Sequence, residues 1–183
     1  MNRNIKQQLR NKYLQILKNI SANDKRQDEE IYQQFINSKY FANNQVFALY
    51  YSLSYEVNTI KIITALLAAK KKVALPRMNG NNLDFFYINS LSDLVVDNQK
   101  IYQPKVNSQK VNITNIDVLI LPLVAFNEDY YRIGHGKGYY DRFLSKSNFK
   151  GLKLVLAYKV QKVTEKIKFV NDDIAFNVLI TNT

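Results

Sequence analysis

Ile116-Asp117-Val118-Leu119-Ile120-Leu121-Pro122, then Gly134-His135-Gly136-Lys137-Gly138, then Tyr139-Tyr140-Asp141-Arg142-Phe143-Leu144 is the run that sets the fold class. Its first part is a short apolar stretch ending at proline, the pattern of a buried strand. Its last part repeats Tyr139, Tyr140, Phe143 and Leu144 at helical spacing. Between them, three of the chain's five glycines and its only histidine fall within five residues. Glycine admits positive φ and lets a ligand approach the main chain without meeting a Cβ. A glycine loop that opens a helix collects backbone N–H groups and the positive end of the helix dipole, both of which favour phosphate. The spacing is neither G-x-x-x-x-G-K-[ST] nor a complete G-x-G-x-x-G, so the motif alone leaves a plain strand-to-helix connection open.

Working outward, residues 4–20 carry Ile5, Leu9, Tyr13, Ile16, Leu17 and Ile20 on one face, an amphipathic helix. Residues 24–38 repeat the pattern through Ile31, Phe35 and Ile36. Residues 46–53 read as a strand. Asn58 is placed to cap a helix over residues 59–70, with Ile60, Ile63, Leu66 and Leu67 inward. Residues 73–76 form a short strand stopped by Pro76, and residues 83–88 another, at a sheet edge. Residues 89–112 are polar and irregular, broken by Pro104. Val118–Leu121 is the buried strand, 138–149 the helix after the glycine loop, Leu152–Ala157 the next strand and 177–181 the last. Alternating strands and helices predict one α/β domain over residues 1–183, with three layers and a mostly parallel sheet between helices. Ligands in such sheets bind outside the carboxyl ends of the strands. The glycine loop, Pro76-Arg77 and the segment after Ala157 all lie there.

The chain has 183 residues, 46% of them hydrophobic and 22% charged, which is a globular composition. No stretch approaches the roughly eighteen apolar residues of a membrane span, and residues 1–6 lack the apolar core of a signal peptide. With no cysteine there are no disulfides, thiolate metal sites or cysteine nucleophiles. A cytoplasmic, monomeric protein without membrane partners is the expectation. The net charge of +11 permits anionic ligands. Its lysines are dispersed, and Lys70-Lys71-Lys72, the longest basic run, fits a solvated helix end.

The stretch Arg132-Ile133-Gly134-His135-Gly136-Lys137-Gly138-Tyr139-Tyr140-Asp141-Arg142-Phe143, preceded by Leu121-Pro122-Leu123-Val124-Ala125-Phe126, resembles the 5-formyltetrahydrofolate cyclo-ligases, or methenyltetrahydrofolate synthetases. Weaker matches follow in order along the whole chain: Lys6-x-x-Leu9-Arg10, Glu56, Leu75-Pro76-Arg77, Pro104 and Asn171-Asp172. The chain has Gln103 where the family commonly has Glu and His135 where it often has Tyr or Arg. The resemblance therefore assigns no role to Gln103 and no essential base to His135.

The resemblance implies ATP- and magnesium-dependent cyclisation of 5-formyltetrahydrofolate to 5,10-methenyltetrahydrofolate. It assigns catalysis to Arg132 and Lys137, and ATP binding to Lys6, Arg10, Arg132, Gly134, His135, Gly136, Lys137, Gly138, Tyr139 and Tyr140. Substrate binding falls to Tyr51, Glu56, His135, Gly136, Lys137, Gly138 and Tyr139, and magnesium to Asp141 and Asp172. Arg77 is a candidate for phosphate or for the folate's glutamate tail. From the residues alone, Asp172 reads as part of a polar turn, and Lys6 and Arg10 as a solvated helix face. Asp141 is open to reading as a helix first-turn acid, Glu56 as a strand-end surface charge and Tyr51 as a core tyrosine. Two other classes fit the composition: a basic module for single-stranded nucleic acid and an ATP-dependent kinase or ligase acting on another small carboxylated substrate.

Overall fold

The computed structural model describes residues 3–21, 25–98, 100–164 and 174–183. Helix α1 (Arg3–Ser21) buries Leu9, Tyr13 and Leu17, one residue per turn, while Ile5 stays exposed. Burying each such side chain contributes about 1.5–3 kcal/mol. Helix α2 (Lys25–Ile36) buries Ile31 and Phe35, and the single turn α3 (Lys39–Asn43) is capped by Ser38. Strand β1 (Val46–Ala48) leads through an irregular segment to α4 (Thr59–Ala68). Asn58 caps α4 as expected, its Oδ1 accepting from the N–H groups of Ile60 and Lys61. The buried face of α4 is Thr59, Ile62, Ile63 and Leu66, so Ile62 takes the place expected for Ile60.

Strands β2 (Lys72–Asn79) and β3 (Asn82–Ile88) form a hairpin. A small antiparallel pair follows, β4 (Leu94–Val96) with β5 (Tyr102–Pro104). Next come β6 (Val118–Leu121) and a second small pair, β7 (Ala125–Phe126) with β8 (Arg132–Ile133). Helix α5 (Tyr139–Lys146), β9 (Leu152–Ala157) and β10 (Val178–Thr181) complete the chain. The main sheet has the order β10-β9-β6-β1-β2-β3 and is parallel except for β3 at one edge.

Side chains alternate across this sheet, as the two-residue period of a strand requires. Phe47, Val118, Ile120, Leu154 and Leu156 join the core with α1, α2 and α4. Ala48, Leu119, Leu121, Val155 and Ala157 face the other way, against Tyr139, Tyr140, Phe143 and Leu144 of α5. The expected three-layer α/β architecture is therefore present.

Several element boundaries differ from the sequence reading. Strand β1 ends at Ala48, because beyond Leu49 the main chain turns from the sheet and the Tyr50 carbonyl accepts the Thr59 hydroxyl. Leu49 and Tyr50 remain buried, which is why an irregular segment mimics a strand. Proline does not stop β2, which runs on to Asn79. The pairing of β1 with β2 ends at Ala48–Ala74, so Pro76 has no β1 residue opposite it to receive an N–H. Residues 89–112 are less irregular than expected, since β4 and β5 pair there and Pro104 closes β5 instead of preventing it.

Candidate active site

From β1 the chain moves to β2 and β3 on one side of the sheet, whereas β6, β9 and β10 build the other. The strand order thus reverses between β1 and β6. The loops leaving the carboxyl ends of such strands diverge to opposite sides and leave a crevice. The segment after β1 carries Tyr51 and Glu56, and the segment after β6 leads through β7 and β8 to Gly134–Gly138. The topology alone brings these two stretches together.

The glycine loop is held from both sides. Arg10 on α1 donates from Nε to the Gly134 carbonyl at 2.8 Å. A Cβ on Gly136, where φ is +99°, would lie 3.1 Å from the Arg10 guanidinium carbon, so the arginine lies directly over bare main chain. Gly138 takes a left-handed conformation at the N-terminus of α5, and Arg142 Nη1 donates to the Lys137 carbonyl at 2.8 Å. Lys137 itself is exposed on the loop. Lys6 lies one turn before Arg10 on α1, on the same face.

Glu56 is buried, at 7% exposure. Its Oε2 accepts from the Leu53 N–H at 2.8 Å, and its Oε1 lies 3.3 Å from His135 Nε2. Burial pushes the Glu56 carboxyl up to about 7, against the opposing effect of the Leu53 hydrogen bond. His135 is pushed down, first by burial and then by Arg10. Protons are therefore easier to place on the carboxyl, and harder to place on the imidazole, than in water.

Arg132 is also buried and donates from Nη1 to Asp141 Oδ1 at 2.8 Å. Among the described residues, four buried side-chain polar atoms have no hydrogen-bond partner. Two of them, Arg132 Nε and Tyr140 Oη, belong to this one stretch with nothing beside them to bond, and a third, His135 Nε2, has only the Glu56 carboxyl at 3.3 Å, without hydrogen-bond geometry. Each such atom costs about 1–3 kcal/mol when left unpaired, and native structures retain few of them. Clustered at a strand-order reversal, they mark a surface preformed for a polar ligand.

Tyr51 stacks on Tyr102 of β5, ring centroids 4.4 Å apart, so β4 and β5 supply an aromatic neighbour that the polar composition of residues 89–112 concealed. Tyr139 donates its hydroxyl to the Gly80 carbonyl at 3.3 Å, towards the β2–β3 turn. Arg77 is engaged elsewhere: Nη1 donates to the Lys105 carbonyl at 2.8 Å, and the guanidinium lies 3.7 Å from the centre of the Phe86 ring. It fastens β5 to the hairpin and is not brought to the glycine loop. Asp172, the second anticipated magnesium ligand, lies outside the described residues. No group of three or more His, Asp or Glu side chains suited to a metal occurs among the described residues, and no described helix is long and apolar enough to cross a membrane.

The buried carboxyl makes stability depend on pH with a definite sign. Between about 4.5 and 7 the folded protein holds a proton that the unfolded chain has released. Stability therefore falls as pH rises through that window and is greatest below it. Ionised Glu56 costs on the order of 3 kcal/mol in the ligand-free protein. Urea unfolding of the wild type and Glu56→Gln across pH 5 to 8 checks this. The wild type should lose stability relative to the variant as pH rises, and a constant difference would contradict the burial argument.

A model of the 5-formyltetrahydrofolate cyclo-ligase family matches residues 2–181. A 5-formyltetrahydrofolate cyclo-ligase of Mycoplasma genitalium is 36% identical over 129 residues, covering 68% of this chain and 74% of the relative. A 5-formyltetrahydrofolate cyclo-ligase of Haemophilus influenzae is 31% identical over 169 residues, covering 89% of this chain and 90% of the relative. The solution structure of a 5,10-methenyltetrahydrofolate synthetase from Aquifex aeolicus superposes with a TM-score of 0.85 at 31% identity, covering 97% of this chain and 89% of that one.

Proposed function

The chain belongs to the 5-formyltetrahydrofolate cyclo-ligase family, and from that membership we propose that it uses ATP to convert 5-formyltetrahydrofolate into 5,10-methenyltetrahydrofolate, ADP and phosphate in the crevice between the Glu56 segment and the glycine loop. The observation that carries the site assignment is the pair of buried polar atoms without a hydrogen-bond partner on Arg132 and Tyr140, beside the buried Glu56 carboxyl and the His135 imidazole 3.3 Å from it. A charged, hydrogen-bonding ligand satisfies all of them together.

The chemistry asks for positioning and charge compensation. Amide resonance blunts the formyl carbon of the substrate, and its oxygen is a poor leaving group. Attack of that oxygen on the γ-phosphorus expels ADP and leaves a phosphorylated, electron-poor carbon. The second folate nitrogen then attacks this carbon, loses its proton, and phosphate departs as the N=C bond forms. The Gly134–Gly138 main chain, Arg10 and Lys6 hold the phosphates, and Lys137 and Arg132 counter the charge that builds on the transferred group and on ADP. Near 4 Å, one such cation gains roughly 4 kcal/mol at an effective dielectric of twenty, before desolvation.

Ionised Glu56 accepts two hydrogen bonds from the amino-pyrimidinone edge of the pterin, with Tyr51 alongside. Recovering these bonds offsets the cost of ionising Glu56 in the empty site. His135, neutral at physiological pH, is able to donate to substrate or phosphate.

Magnesium is part of this proposal. It binds one or two carboxylates together with phosphate and water, and Asp141, 38% exposed beside the phosphate loop, fits as one oxygen donor. Bound there, the ion would neutralise phosphate charge. Asp141→Asn keeps an acceptor for Arg132 and removes the charge. It should raise the magnesium concentration for half-maximal activity about tenfold, roughly the effect of a weakened carboxylate contact. An unchanged magnesium titration would reject Asp141 as a ligand.

The direct test is incubation with 5-formyltetrahydrofolate, ATP and magnesium while following near-ultraviolet absorbance of the methenyl product together with ADP. Equal amounts of the two are expected. ADP release from another carboxylated substrate, with no methenyl product from this one, would overturn the assignment.

A further inference from the structure

Residues 49–59 have little regular structure, yet they must hold a buried carboxylate still. Inside the segment, the Leu53 N–H donates to Glu56 Oε2, the Glu56 N–H donates to the Leu53 carbonyl, and Ser52 and Thr59 exchange hydrogen bonds. These local bonds fix the shape of the segment. They do not fix its place over the crevice.

Two residues far away in sequence do that. Asp28 on α2 accepts the Asn58 N–H on Oδ1 at 3.0 Å. The same oxygen accepts the Tyr158 hydroxyl at 2.7 Å, and that hydroxyl lies 3.3 Å from the Glu56 carbonyl. Tyr158 follows the last residue of β9 and is 2% exposed, so its ring is locked in the core. Main chain on both sides of Val57 is thus referred to the sheet through one phenol and to α2 through one carboxylate. Val57 is itself buried. Among the described residues, no hydrogen bond joins Asp28 or Tyr158 to the glycine loop.

We infer that Tyr158 and Asp28 are positioning residues that set the Glu56 main chain, and through it the affinity for the folate, without touching substrate. The inference rests on Glu56 meeting the pterin. Shifting a charged, bidentate acceptor by a fraction of an ångström weakens both of its hydrogen bonds, which depend steeply on distance and angle. The phosphate cradle is built on α1 and the glycine loop, so ATP should be indifferent to the change.

The test is steady-state kinetics of Tyr158→Phe, Asp28→Ala, Asp28→Asn and the Tyr158→Phe/Asp28→Ala double variant, with each substrate varied in turn. Tyr158→Phe keeps the buried ring and loses only the hydroxyl. It should raise KM for 5-formyltetrahydrofolate about three- to tenfold, with kcat and KM for ATP within about twofold. Asp28→Ala should do the same. Asp28→Asn, which retains the acceptor oxygen, should restore wild-type behaviour. The double variant should be no worse than the poorer single, because both changes break one device. Folate KM unchanged in both single variants would overturn the inference, as would kcat and both KM values changing together. An inactive wild-type enzyme would instead strike at the functional reading and remove this inference with it.

Discussion

Replacing Lys137 with alanine should lower kcat by about two to three orders of magnitude and leave the melting temperature essentially unchanged. The size follows from what a single preorganised charge contributes to an acyl- or phosphoryl-transfer transition state. The stability half follows from exposure, since Lys137 stands on the loop surface and surface substitutions away from caps and cores change stability by no more than about 0.5 kcal/mol. KM for ATP should rise much less than kcat falls, because charge accumulates on the transferred phosphoryl and the departing ADP during the reaction and not on binding. The check pairs steady-state kinetics with thermal unfolding of the same preparation. Activity within tenfold of wild type would remove Lys137 from the catalytic assignment, and a large fall in melting temperature would reassign it to the fold.

The second large effect belongs to Glu56. Glu56→Gln keeps an oxygen for the Leu53 N–H but loses the charge and one of the two acceptors offered to the pterin. Charge-assisted hydrogen bonds contribute about 1.5–3 kcal/mol each, so KM for 5-formyltetrahydrofolate should rise roughly ten- to a hundredfold. ATP binding should be nearly intact. The wild-type pH profile carries the same signature. With the free-enzyme carboxyl near 7, kcat/KM for the folate should climb with pH through that value, and the climb should be absent in Glu56→Gln. A variant that loses folate and ATP together would point to misfolding, and an unaltered pH profile would remove Glu56 from recognition.

How far these sites were legible in the sequence differed by element. The unbroken apolar run of Val118–Leu121 and the helical spacing after Gly138 identify a strand-loop-helix unit, and Asn58 announces the start of α4. Local chemistry specifies those features. The bounds of β1 and β2 were misread because burial, not pairing, dictates the apolar run at Leu49 and Tyr50, and because Pro76 sits where β1 no longer lies alongside. The pairs β4–β5 and β7–β8 are two or three residues long, too short for periodicity to register.

The candidate site divides in the same way. Arg10, Glu56 and the glycine loop are recognisable as motifs, but their meeting depends on the reversal of strand order between β1 and β6, which is a property of the whole sheet. Arg77 at a strand end looked like a ligand contact. The Pro104 and Lys105 carbonyls and the Phe86 ring that engage it come from segments whose pairing no local pattern shows. Tyr158 and Asp28 are separated by 130 residues, and nothing in either neighbourhood singles them out. Among 13 tyrosines, only the three-dimensional contact distinguishes Tyr158.

The proposed reaction requires the triphosphate to lie along Gly134–Gly138 beneath Arg10, with the pterin against Glu56. A crystal structure with a non-hydrolysable ATP analogue, magnesium and 5-formyltetrahydrofolate tests that directly. The phosphates should contact the loop N–H groups, Arg10 and Lys137, with the formyl oxygen directed at the γ-phosphorus. A bare glycine loop with the triphosphate bound elsewhere on the protein would contradict it.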